Sequence, residues 1–131
     1  PKYLEYLEKA ELVSALGMKA NGDAILRKMD KLYLHNPNIA YVLSGGKADV
    51  GNARETIFFC WTKERFNTLE SPISDFEIDG KTFELGGRKK GKKQITDAKE
   101  GYVVKDNIEY VFDNQIPLWM FGFLYGNLAE S

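Results

Sequence analysis

The sequence predicts a mixed α/β (α+β) fold, with a central sheet flanked by helices. Three observations carry that prediction. Asp79-Gly80 separates two alternating runs, SDFEI and KTFEL, and Asp-Gly is the strongest short signal for a two-residue hairpin turn. Helix-period segments precede the hairpin, around residues 1–10, 37–43 and 52–66. Extended apolar segments, GYVV and NIEYVF, follow it, and an apolar helix candidate, IPLWMFGFLYG, comes after them. Helix, hairpin, further strands and helix fit a sheet with helices on its faces.

The elements follow in order. PKYLEYLEKA reads as a helix, with Pro1 in its first turn and Tyr3, Leu4, Leu7 and Ala10 as one apolar stripe. ELVSAL is a short strand. GMKANGDA breaks the pattern with Gly and Asn-Gly. LRKMDKLYLHN is a second strand centred on Leu32 and Leu34. Helix, strand, loop and strand form the back half of a winged helix, so residues 1–35 read as a winged-helix remnant and 36–131 as the main domain. Asn36-Pro37 starts a short helix, NIAYVL, which stops at Ser44-Gly45-Gly46. The next helix is expected from Asn52 through ARETIFFCWTKERF, with Ile57, Phe58 and Trp61 on one face. In the hairpin, counting outward from the turn pairs Ile78 with Lys81, Glu77 with Thr82, Phe76 with Phe83 and Asp75 with Glu84. IPLWMFGFLYG is apolar on nearly every side, so it is expected to be buried or to face a partner.

Composition narrows the function classes. The 131 residues suit one domain, or one domain plus a fragment, and 44% apolar content with 13% aromatics supports a core. Eighteen basic residues against nineteen acidic leave a net charge of −1, so an electrostatic function must be local. Cys60 is the only cysteine; it excludes an internal disulfide and reads as a small core residue. No apolar run approaches the ~20 residues of a membrane span, and a cytoplasmic location is expected. The chain starts at Pro1, not Met, so a processed product or a piece of a longer protein is expected.

The carboxylates carry the candidate chemistry. Asp75 and Glu84 are expected opposite each other, and like charges there repel unless a cation intervenes. A divalent ion, Mg²⁺ or Mn²⁺, would reconcile them and could clamp a phosphodiester; neighbouring Lys or Arg side chains on a solvated strand would do so as well. Arg88, Lys89, Lys90, Lys92 and Lys93 follow at once and are candidates to hold phosphates or to neutralise the acids internally. The run lacks the interleaved aromatics of single-strand stacking. GGRKKGKK nearly spells a P-loop, but Lys93 stands where Ser or Thr must ligate Mg²⁺. One His and one Cys leave little room for a zinc site or a Cys/His dyad, and His35 reads as a cap or surface residue. Ser44, Ser71 and Ser74 lack a nucleophile-elbow context. Glu55 is expected in the first turn of its helix, where the dipole favours acid; it is also a third candidate ligand.

The order Glu55 on a helix, then Asp75 and Glu84 on paired strands, resembles that of restriction-endonuclease-like folds. ARETIFF, SPISDFEIDG, FELGGRKKGKKQI, YVVKDNIEY and IPLWMFGFLY together resemble the C-terminal nuclease-like domain of bacterial AAA-type (archaeal-type) P-loop ATPases. LEYLEKAELV and KLYLHNPNIAYVL resemble the winged-helix tail that links that domain to the ATPase. The resemblance covers nearly the whole chain. It implies a mixed sheet flanked by helices, a partner ATPase domain in the same full-length protein with ATP confined to it, and no membrane. It also implies catalytic positions at Asp75, Glu84 and Glu55, with Asp75 and Glu84 as metal ligands. The family pattern of Asp followed by Glu-x-Lys is broken here, because Gly86 occupies the lysine position. Arg88 holds its proton too tightly to act as a base. The resemblance therefore implies an accessory domain with a decayed site, not catalytic as this isolated chain, which binds nucleic acid or protein. The alternative is an active Mg²⁺- or Mn²⁺-dependent nuclease on DNA or RNA.

Overall fold

The computed structural model describes residues 2–18, 29–86 and 100–124. Among these the elements run α1 (Lys2–Lys9), β1 (Val13–Gly17), β2 (Met29–Leu34), α2 (Pro37–Leu43), α3 (Val50–Thr62), β3 (Leu69–Glu70), β4 (Phe76–Ile78), β5 (Lys81–Gly86), β6 (Gly101–Lys105) and β7 (Gln115–Pro117). A 3₁₀ helix, Leu118–Leu124, follows. The fold is mixed α+β. One sheet is a two-stranded antiparallel ribbon, β1–β2, and the other has five strands in the order β3-β4-β5-β6-β7. β3, β4 and β5 are antiparallel neighbours, whereas β5–β6 and β6–β7 are parallel. A single parallel bridge, Met18 to Glu70, joins the ribbon to the β3 edge.

The hairpin forms in the expected register, with Phe76 opposite Phe83, Glu77 opposite Thr82 and Ile78 opposite Lys81. Asp79 and Gly80 both have positive φ, at 50° and 78°, as a two-residue turn matching strand twist requires. Asp75 lies outside the paired register, in the bend before β4. β5 is the middle strand. From Thr82 to Gly86 both of its faces are buried, so Glu84 is only 5% exposed.

α2 starts as expected: the Asn36 side chain accepts the Asn38 N–H at 2.8 Å and Pro37 takes the first turn. α3 starts before Asn52. Asp49 caps it by accepting the Asn52 N–H at 2.7 Å, which makes Val50 the first helical residue. Glu55 therefore sits in the second turn, where the dipole has largely faded, and the first turn of α3 holds no acid.

The core forms around α3. Phe58 packs with tilted rings on Phe76 and Phe83, at centroid distances of 5.0 and 5.5 Å, and edge-to-face on Phe121 at 4.8 Å. Such pairs contribute about 0.5–1.5 kcal/mol each beyond area burial. Leu16 and Tyr33 of the ribbon belong to the same cluster as Phe58, Phe76 and Val104. The ribbon face differs from expectation. Tyr33 enters the core, while Leu32 is exposed, because the large ring packs on Phe59 and Phe76 and its hydroxyl finds a partner. The stripe of α1 is not buried either: no α1 residue is, and Tyr3 and Tyr6 face solvent.

Two further expectations are corrected after β6. NIEYVF is not a strand; Phe112 alone makes a bridge, to Gln115, and the strand is Gln115–Pro117. Asp113 turns the chain at φ 56°, and Asn114 anchors the turn by donating to the Gly101 carbonyl at 3.1 Å. The apolar segment beyond is a 3₁₀ helix, and its burial repeats every three residues: Leu118, Phe121 and Leu124 face inward while Trp119, Met120 and Phe123 are exposed. Gly122 packs against Trp61, where a Cβ would make ordinary van der Waals contact with the indole at 3.5 Å. No described helix is long and apolar enough to cross a membrane.

Candidate functional site

The acidic residues gather where β2, α3, β3 and β4 meet. Tyr33 reaches out of β2 and donates its hydroxyl to Glu55 Oε2 of α3 at 2.7 Å. Burial, the Glu55 hydrogen bond, and the charges of Glu55, Asp75 and Glu70 all push the Tyr33 phenol far above its ordinary range. Tyr33 is therefore a fixed neutral donor among three carboxylates, not an acid or base near neutral pH. Glu70 of β3 pairs with Lys31 of β2 at 3.6 Å, and its buried Oε2 has no hydrogen-bond partner among the described residues.

Asp75 and Glu84 are organised differently from a facing pair. Asp75 Oδ2 accepts the backbone N–H of Leu85, the residue after Glu84, at 2.7 Å. Glu84 Oε2 accepts the hydroxyl of Ser74, the residue before Asp75, at 3.0 Å. Each acid thus reaches diagonally to the other's neighbour and takes a neutral donor there. A neutral donor from the backbone of β5 and another from the bend before β4 thus help to solvate the two carboxylates in place of water.

Of the three acids singled out from sequence, Glu55 and Asp75 are brought to Tyr33, while Glu84 is held by Ser74. Tyr33, Glu70 and Ser74 escaped the sequence reading. Tyr33 lies in a segment whose local pattern says only "strand", Glu70 lies in a two-residue strand that leaves no pattern, and Ser74 lacks any motif context. Among the described residues, no group of three or more His, Cys, Asp or Glu side chains is placed to hold a metal ion. The described atoms do not fit a three-ligand divalent centre, since Asp75 Oδ2 and Glu84 Oε2 are aimed at protein donors, and no hydrolytic step is derived through one. Gly86, in the position expected to carry lysine, is the buried last residue of β5. Arg88, Lys89, Lys90, Lys92 and Lys93 lie outside the described residues.

His35 and Cys60 belong to a second polar cluster. His35 is not a helix cap; Asn36 has that role. Its Nδ1 lies 3.1 Å from Ser14 Oγ and 2.9 Å from Lys63 Nζ, and Lys63 also donates to Ser14 Oγ at 2.7 Å. The Cys60 thiol donates to the His35 carbonyl. Cys60 is buried, as its apolar run predicts, and burial pushes the thiol pKa up, against a smaller lowering by Lys63. A depressed thiol pKa, the mark of a reactive cysteine, is the opposite of what this site produces.

No protein-family model, curated protein or solved structure matches the chain.

Proposed function

We propose that this chain is an accessory domain of an AAA-type ATPase, with a nuclease-like fold whose acidic site is structural, and that it acts by binding. The observation that carries the reading is the diagonal exchange at the hairpin: Asp75 Oδ2 accepts the Leu85 N–H and Glu84 Oε2 the Ser74 hydroxyl. Gly86 adds to it, since a phosphodiester hydrolase of this pattern needs a cation there to position water and offset developing charge. The partner is the ATPase part of the same full-length protein. The surface that suits it is the outer side of the 3₁₀ helix, where Trp119 is 50% and Phe123 74% exposed beside Met120. Phe121 and Leu124, which the sequence offers for the same role, face inward.

One observation favours the second reading, a Mg²⁺- or Mn²⁺-dependent nuclease. The buried Oε2 of Glu70, without a hydrogen-bond partner among the described residues, adds to the charge of Glu55 and Asp75 around Tyr33, a concentration that a cation would relieve. Incubating the chain with duplex DNA, single-stranded DNA and RNA in Mg²⁺ or Mn²⁺, alongside Glu84→Gln, separates the two. The proposal expects no cleavage by either protein. Metal-dependent cleavage that disappears in Glu84→Gln would establish the nuclease instead.

A further inference from the structure

The Ser14–His35–Lys63 cluster lines a cleft of about 380 Å³ bordered by the end of α1, β1 and the residues after α3. It lies apart from the acidic site and does not depend on the reading above. The Lys63 side chain is only 19% exposed. A lysine that is partly buried gains from a carboxylate at contact distance. Here its two close partners are neutral: the Ser14 hydroxyl at 2.7 Å and His35 Nδ1 at 2.9 Å. An ammonium can only donate, so Nδ1 accepts and the imidazole proton resides on Nε2. The nearest carboxylate, Glu64 Oε1, is 3.9 Å away on a 68% exposed side chain, beyond hydrogen-bond reach. Two of the three Lys63 N–H groups are therefore used, and the third has no acceptor within bonding distance among the described residues. Lys63, Ser14 and Asn67 line one cavity, and their side chains carry N–H and O–H donors of the kind that suit a carboxylate.

The rim narrows the ligand further. Glu8, Glu11 and Glu64 line the same cleft. Glu8 accepts the Ala15 N–H through Oε1 at 3.2 Å, whereas Glu11 makes no such bond and Glu64 approaches only Lys63, at 3.9 Å, among the described residues. An acidic rim around one partly buried ammonium disfavours polyanions such as nucleic acid or a phosphoryl group. It favours a molecule that brings its own positive charge a few ångströms from its carboxylate. Phe59, Val13 and Phe66 supply apolar wall between the two ends.

We propose that this cleft binds a small zwitterion of the α-amino-acid class, with its carboxylate on Lys63 and Ser14 and its ammonium towards Glu11 and Glu64.

The test is ligand-observed NMR and calorimetry on the purified chain with each of the common free amino acids. Acetate, methylamine and inorganic phosphate serve as partial ligands. At least one amino acid should saturate with a sub-millimolar Kd, about tenfold or more tighter than acetate or methylamine. Lys63→Met should weaken it at least about tenfold, because the charge partner of the carboxylate is lost. Glu11→Gln should weaken the amino acid while leaving acetate unchanged. Thermal unfolding checks that each variant is folded, and Ser14→Ala, which keeps the ammonium and loses only the hydroxyl, provides the second reading of the same contact. The proposal is overturned if no amino acid saturates up to about 10 mM, if folded Lys63→Met or Ser14→Ala binds as the parent does, or if phosphate or acetate binds as tightly as every amino acid.

Discussion

Replacing Tyr33 by Phe removes one oxygen from the centre of the acidic cluster and nothing else. The lost bond is short, 2.7 Å, and its acceptor is ionised, so it belongs to the class contributing about 1.5–3 kcal/mol. Glu55 is only half-buried and can turn partly to water once the hydroxyl is gone, which places the expected loss near the lower end, at about 1.5 kcal/mol. For a chain of this length that corresponds to roughly 4–8 °C in Tm. Urea unfolding followed by tryptophan fluorescence reads the change directly. Glu55→Gln keeps an acceptor and should cost less, about 0.5–1 kcal/mol. The double variant should then show a coupling of about 0.5 kcal/mol or more between the two sites. A Tyr33→Phe protein within about 0.3 kcal/mol of the parent, with no measurable coupling, would refute the claim that Tyr33 holds the acids together.

Other outcomes follow from the same geometry. Tyr33 is raised well above the ordinary tyrosine value, so the folded state retains a proton that the unfolded state releases near pH 10. That contribution is full below pH 10 and is lost as pH rises; Tyr33→Phe should flatten the alkaline fall in stability measured by urea titration at stepped pH. Phe58→Ala opens the centre of the aromatic cluster and should cost about 3–5 kcal/mol, whereas exposed Trp119→Ser should stay within about 0.5 kcal/mol in the same assay. Gly80→Ala places a Cβ at φ 78° and should cost about 1–2 kcal/mol in thermal unfolding, although nothing crowds the site sterically.

What the sequence disclosed tracks how local the deciding interaction is. The Asp79-Gly80 turn fixes the register of β4 on β5 by itself, and the Asn36-Pro37 cap fixes the start of α2, so both were legible. β3 and β7 are too short, at two and three residues, for alternation to register. NIEYVF alternates well enough to suggest a strand, but only Phe112 finds a bridging partner, and Tyr110 and Phe112 are left exposed. Asp49 and Asn52 both make good caps, and three residues of displacement moved Glu55 by most of a turn. The site was legible as a set of acids but not as an arrangement. Hairpin counting places Asp75 opposite Glu84, but the pairing stops at Phe76–Phe83, and the bonds of the two acids run to Leu85 and Ser74. Tyr33 and Glu55 are 22 residues apart, and Lys63 meets Ser14 across 49, distances at which one sequence carries no pairing signal.

The central claim is that the hairpin acids are satisfied from within the protein and do not form a working metal site. Calorimetric titration of Mg²⁺ and Mn²⁺ into the purified chain, beside Glu84→Gln, tests it most directly. The account predicts no saturable heat for either ion at millimolar concentration, and the same trace for both proteins. Saturable binding in the parent that Glu84→Gln abolishes would contradict it and make Asp75 and Glu84 live ligands.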